Sequence, residues 1–292
     1  MTSQPAQQMP GVYHRKIGDI VVTTISDGYL DASLAVTRNL PQAEAEKVLA
    51  GSFQPLAPRI AVNAFVIETG GRQILIETGS GNTMGPTLGW IPKNLALAGI
   101  DPAKFDAVLL THMHPDHSNG LTDDAGKAHF PDSELVVHED EVAHWHDDAR
   151  MAKAPERQAI RYFQGARTQF APYRKQARMF RSGELFPGIT AMPIPGHTPG
   201  HTAFLISSGP ESLLIWGDIV HIPDLQVPHP EVCMEFDTDP AAAAATRRRV
   251  FDMVATDRML VAGMHLHFPG FSHMVKRAEG FALLPEAWRY TL

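Results

Sequence analysis

The chain has 292 residues, 44% of them hydrophobic and 20% charged, with a formal net charge of −7. That balance is ordinary for a folded domain and argues against nucleic acid as a partner, which would ask for a basic face. Its one cysteine, Cys233, excludes an intramolecular disulfide and reads as an inert packed residue, and no apolar run approaches the length that spans a bilayer.

Residues 1–11 are polar and lack the apolar centre of a signal peptide. They read as a flexible tail, with a cytoplasmic location as the default, followed by one domain over residues 12–292. Residues 17–26 alternate and are rich in Val, Ile and Thr, which predicts a strand closed by Asp27-Gly28. A short helix is expected over 41–50. Strands over 60–68 and 73–77 flank Gly70-Gly71, a hairpin signal. A glycine-rich loop follows over 79–89, then a helical turn over 94–98. The apolar run 107–110 reads as a buried strand. A strand over 135–138 leads into a helix over 139–147. Residues 154–176 are charged and aromatic and read as one or two helices over the site. Strands are expected over 189–194, 202–207 and 213–216. Asp239-Pro240 is a good N-cap and first-turn pair for a helix to about residue 255. Arg247-Arg248-Arg249 on that helix reads as a solvated face. A last strand over 259–262 precedes a tail with a final helical segment. Strands in both halves, with helices between and after, suggest two packed sheets with helices outside.

The chemistry concentrates behind the strand at 107–110. There the chain reads Thr111-His112-Met113-His114-Pro115-Asp116-His117. Neutral imidazole nitrogens and a carboxylate are ligands of a borderline cation such as Zn²⁺. His112 and His114 are two apart, so an extended strand end points both the same way. Pro115 then bends the chain, and Asp116 and His117 face a second point. One loop can therefore serve two metals. A chance cluster is the competing reading, since the chain has 15 histidines. Three further pieces weigh against chance: Pro195-Gly196-His197-Thr198-Pro199-Gly200-His201, Gly217-Asp218 and Gly263-Met264-His265, each at a strand's end. Sheets build their sites at such ends.

In this order these motifs resemble the metallo-β-lactamase superfamily. The resemblance implies a four-layer αββα sandwich of the mixed α/β (α+β) class with a dinuclear metal site. It assigns His112, His114 and His197 to a first metal and Asp116, His117 and His265 to a second, with Asp218 bridging. Two divalent ions are implied, Zn²⁺ first, with Mn²⁺, Co²⁺ or Fe²⁺ open at one position. Gly18-Asp19, Ser26-Asp27-Gly28, Gly85-Pro86-Thr87-Leu88-Gly89 and Phe268-Pro269-Gly270 are similar to methyl parathion hydrolase and its lactonase relatives. This closer resemblance runs from about Gly11 to the C-terminus and implies a homodimer. Glu77 departs from it. Relatives usually carry Asp there, behind a metal histidine, and Glu is one methylene longer.

The chemistry implied is hydrolysis. A hydroxide held between two ions attacks a carbonyl or phosphoryl centre, with Asp218 and Asp116 in catalytic roles. No Gly-x-Ser-x-Gly elbow supplies a nucleophilic serine. His221 stands three residues after Asp218, where lactonase relatives place a tyrosine and methyl parathion hydrolase an apolar residue. It reads either as a substrate hydrogen-bonder or as a packed histidine satisfied by backbone. Met84, Trp90, Trp145, Phe163, His221 and Phe236 form the expected pocket by analogy, and core packing is the alternative for its aromatics. A polar His221 and a bulky Phe236 lean towards an aryl lactone or ester of the dihydrocoumarin type, with phosphotriester hydrolysis as a secondary or alternative activity. A catalytically silent metal-binding protein on the same fold stays open. So does a thioester hydrolase with Lys276 and Arg277 holding glutathione.

Overall fold

Ile74, Ile76, Ala107 and Leu109 pack in one hydrophobic cluster, whereas Leu75, Val108 and Leu110 between them pack in another. Side chains of a strand alternate between faces, so an unbroken apolar run means that both faces are covered. In the computed structural model, which describes Gln8 and residues 11–292, these strands belong to a seven-stranded sheet. Its order is Val12–Ile17, Ile20–Asp31, Arg59–Thr69, Arg72–Ile76, Ala107–Leu109, Glu134–His138, Ala177–Phe180. The first four pair antiparallel and the last four parallel. A second sheet runs Phe281–Pro285, Phe271–Lys276, Leu260–Ala262, Glu211–Ile215, Thr202–Ser208, Ile189–Pro193, Gly183–Phe186. In it Glu211–Ile215 and Leu260–Ala262 are parallel neighbours.

The two sheets face each other. Phe65 and Ile67 of the first share a core with Phe204, Ile215 and Phe271 of the second. Helices Ile91–Leu97 and Glu139–Trp145 cover the first sheet's outer face through Ile91, Leu95 and Trp145. Helix Pro240–Thr256 covers the second through Val250, Phe251 and Val254. Asp239 caps that helix, accepting the Ala242 N–H, as its sequence predicts. The layering is therefore the expected αββα sandwich. Among the described residues no helix is long and apolar enough to cross a membrane.

Several expectations need correction. Of the tail expected over 1–11, only Gln8 and Gly11 fall among the described residues. The first strand pair is a hairpin, Val12–Ile17 with Ile20–Asp31, so strand structure begins before residue 17. The C-terminal segment is not helical: Phe271–Lys276 pairs with Leu260–Ala262, and Phe281–Pro285 closes the sheet's edge. The region 154–176 is a succession of short helices that includes a π-helical turn, Ala159–Gln164. Arg248 and Arg249 are exposed, but Arg247 is 1% exposed. Its guanidinium donates to the carbonyls of Ile219, Pro230 and Val232. It thereby fixes the segment that follows Asp218.

Candidate metal centre

The parallel strands of both sheets end on one side, and the loops that follow carry the motif residues. Two glycines let those loops close in. Gly217 has φ +56, and a Cβ there would collide with the His201 ring. Gly196 has φ +133, and a Cβ there would collide with the Ala243 backbone. Both need the backbone freedom that only glycine has at low cost. The Thr202 N–H donates to the Thr111 carbonyl at 3.0 Å and ties the two sheets' loops together.

Asp218 is the focus of the site. Its Oδ2 lies 3.0 Å from His221 Nε2, 3.2 Å from both His117 Nε2 and His265 Nε2, 3.3 Å from His197 Nε2 and 3.5 Å from His112 Nε2. Donor atoms of His112, His114, His197 and Asp218 lie within 4.8 Å of one another, and so do those of Asp116, His117 and His265. The residues the resemblance implies are thus brought together, and Asp218, His221 and His265 form a further such group, as do Glu77, His112 and His117.

The chemistry of this donor set fits a pair of divalent cations. His114 Nδ1 and His112 Nε2 stand 2.9 and 3.2 Å from His197 Nε2. A tetrahedral ion with bonds of about 2.0–2.1 Å keeps its nitrogens about 3.3 Å apart. Asp218 Oδ1 and His117 Nε2 are buried without a hydrogen-bond partner. Burial, helped by neighbouring imidazoles, holds His112 and His114 well below their ordinary pKa, in the neutral form that metals bind. Burial opposes charging His117 and His197 too, but nearby carboxylates outweigh it. Asp218, Asp116 and Glu77 raise His117 well above its usual value, and Asp218 and Asp237 push His197 up to about 9. A bound cation takes the place of those protons.

Two of the histidines are held from behind. His265 Nδ1 donates to the Ala61 carbonyl at 2.7 Å, and His197 Nδ1 to Asp237 Oδ1 at 2.7 Å. Those acceptors have no proton to give, so Nε2 keeps its lone pair for the centre. His201 accepts the Asp218 N–H at 2.9 Å and so positions the bridging residue. Burial, then His197, pushes its imidazole down to about 3, which keeps it neutral. Glu77 sits in a left-handed conformation, φ +69. Its Oε1 accepts the Thr111 N–H at 2.8 Å, while Oε2 stays 3.6 Å from His117 Nδ1.

A family model described as Metallo-beta-lactamase superfamily matches residues 57–265, a span that includes all seven assigned ligands. The chain belongs to the metallo-beta-lactamase superfamily. Similar solved structures agree. The hydrolase AbOPH, from the beta lactamase superfamily, is 31% identical, with 97% of this chain and 100% of that one covered at a TM-score of 0.91. AidC, a dizinc quorum-quenching lactonase solved with an acyl-homoserine product, is 26% identical over 96% of this chain and 98% of its own, with a TM-score of 0.90. A probable metal-dependent hydrolase from Staphylococcus aureus shares the fold at 24% identity, over 95% of this chain and 100% of its own, with a TM-score of 0.75. No curated protein matches the chain in sequence.

Beside this superfamily centre lies a cavity of about 420 Å³. Met84, His221 and Phe236 line it with Tyr162 and the ligands Asp116 and Asp218. Trp90, Trp145 and Phe163 of the expected pocket do not. Trp90 precedes helix Ile91–Leu97, with the Lys93 ammonium over its ring. Phe163 packs against Trp145 in the core. Trp145 is buried with its ring 5.4 Å from His114 and its N–H on Glu141, so it backs a ligand without facing the cavity. The bulk of Trp145 and Phe163 serves the core under the helical layer. His221 is not satisfied by backbone: its nearest polar neighbour is Asp218 Oδ2, 3.0 Å from Nε2.

Sequence reasoning assigned no role to Asp237, His201 or Glu141. Glu141 is fully buried, and its carboxylate accepts the N–H groups of Met113 and Gly200. Asp237→Ala is expected to weaken metal binding about 10–100-fold, because His197 loses the partner that sets its tautomer. Competition with a chelator measures it, and wild-type affinity would remove Asp237 from the centre.

Proposed function

We propose that this chain is a dinuclear zinc hydrolase that opens aryl lactones and esters of the dihydrocoumarin type, with phosphotriester hydrolysis as a secondary activity. The observation that carries the reading is His221, a buried imidazole with unsatisfied nitrogens that lines the cavity beside Asp218. Its ring lies 5.0 Å from that of Phe236. The similarity to AidC supports the lactone side. The resemblance to methyl parathion hydrolase and its lactonase relatives, and the homodimer it implies, belong to the same proposal.

When bound, the ions supply a water of near-neutral pKa and polarise the scissile carbonyl. His112, His114 and His197 would hold one, Asp116, His117 and His265 the other, with Asp218 between them. The rest falls to this chain's side chains. Asp218 Oδ1 is free to take the attacking water's proton. Burial, only partly offset by Asp218, pushes His221 down to about 4, so it works as a neutral imidazole that donates a hydrogen bond to the substrate oxygen. Phe236 offers an apolar face to an aryl ring.

The test is kcat/KM of zinc-loaded protein for dihydrocoumarin and for a dimethyl aryl phosphotriester. A large lactone excess is expected. A large triester excess would make the chain an organophosphate hydrolase instead, and turnover of neither would leave a silent metal-binding protein. His221→Leu should lower lactone turnover about 10–100-fold, the worth of one hydrogen bond to a charged or developing oxyanion, while sparing or raising triester turnover. An equal fall in both would defeat the assignment.

A further inference from the structure

Arg157, Gln158, Arg161 and Tyr162 all line the cavity. They fall at i, i+1, i+4 and i+5 of the helical run that passes from Glu156–Gln158 into the π-helical turn Ala159–Gln164. Arg157 and Arg161 are neighbours four apart, as are Gln158 and Tyr162, and both pairs line the cavity. π-Helical turns concentrate at functional sites.

The charges around that cavity do not cancel. Asp31 is paired with Arg59 at 2.9 Å, and Glu235 with Arg38 at 3.3 Å. Asp116 and Asp218 belong to the metal centre. Among the described residues, Arg157 and Arg161 make no ion pair and no side-chain hydrogen bond. Two like charges four apart on a helix repel each other, and this chain has 32 acidic residues from which a partner could have come. Both guanidiniums also line the same cavity as Tyr162, Asp116 and Asp218. The Tyr162 ring in turn lies 4.9 Å from that of the ligand His114.

We propose that Arg157 and Arg161 form an oxyanion-binding subsite of the cavity, and that the substrate class is a lactone or ester carrying a carboxylate remote from the cleaved bond. This deepens the hydrolytic reading above and rests on it. The metal centre works at one end of such a substrate. At the other, planar guanidinium forks receive the two carboxylate oxygens in the bidentate manner that suits arginine.

The experiment compares the zinc-loaded wild type with the double variant Arg157→Met, Arg161→Met on 4-acetoxybenzoate and its methyl ester. The two share one acetyl ester bond and differ by one remote charge. Taking the ratio of kcat/KM values within each protein, then between proteins, cancels the intrinsic reactivities. The wild type is expected to favour the anion about tenfold more than the variant does, mainly through KM, with the excess shrinking as salt rises. A second readout needs no turnover: calorimetric titration with terephthalate and with 4-carbamoylbenzoate, an uncleaved analogue neutral at one end. One carboxylate is common to both probes, so only the second reports on the arginines. Terephthalate should bind the wild type more tightly, and the double variant should lose that advantage. Equal charge preference in both proteins, in kinetics and titration alike, would overturn the subsite and return both arginines to solvent. If neither ester is hydrolysed but the titration advantage is present and lost in the variant, the subsite stands and the ester-hydrolase reading falls.

Discussion

Asp218→Asn is expected to cut kcat/KM by on the order of 10³ and to release metal. Five imidazoles approach Asp218 Oδ2 within 3.5 Å, so the carboxylate charge is shared by both halves of the site. Burial disfavours that charge, but His117, His265 and His112 outweigh it and hold the acid well below its usual pKa. It is therefore ionised across the working range. An amide at this position removes the charge and turns one oxygen into a donor that competes with the imidazoles. It also removes an acceptor for the water's proton. The measurement is kcat/KM alongside metal content per chain. Wild-type turnover with two ions retained would show that another group does this work and would sink the scheme.

The part of the site that was legible in the sequence is the part written locally. His112, His114, Asp116 and His117 are close enough in the chain for their spacing to fix their geometry. His197, Asp218 and His265 stand out by neighbouring glycines and strand-end position, and the family resemblance is what implied their roles. The buried strands were legible because a run apolar on both faces has few other homes. What escaped depends on contacts distant in sequence. Phe271–Lys276 and Phe281–Pro285 are strands because of their neighbours in the sheet, and propensity for strand follows context. Asp237 reads as a loop acid until the chain brings it to His197, forty positions earlier. Arg247 is different, because its signal was present. It falls on the helix stripe of Ala243, Ala244, Val250, Phe251 and Val254, and the periodicity that buries those residues buries it too.

Glu141 was missed as well, and its loss should cost most in stability. It sits on helix Glu139–Trp145, where an acid in the first turn ordinarily faces water. Here it is fully buried. Its Oε2 accepts the Met113 N–H at 3.0 Å and the Trp145 indole N–H at 2.7 Å, and its Oε1 accepts the Gly200 N–H at 2.9 Å. Met113 lies between two ligand histidines, and Gly200 is three residues beyond His197. One carboxylate thus joins the ligand loops of the two sheets. Glu141→Ala leaves three buried donors unpaired, each costing about 1–3 kcal/mol, for a total of about 5 kcal/mol. That approaches the whole stability of a small domain. Glu141→Gln keeps an oxygen for one loop but turns an NH₂ towards a donor, so it should lose about half as much. Chemical denaturation of both variants checks the ladder, and zinc affinity of the folded Gln variant checks the link to the centre. If Glu141→Ala unfolded within about 1 kcal/mol of wild type, the Thr202–Thr111 hydrogen bond and the metal centre would be enough to hold the two loops together.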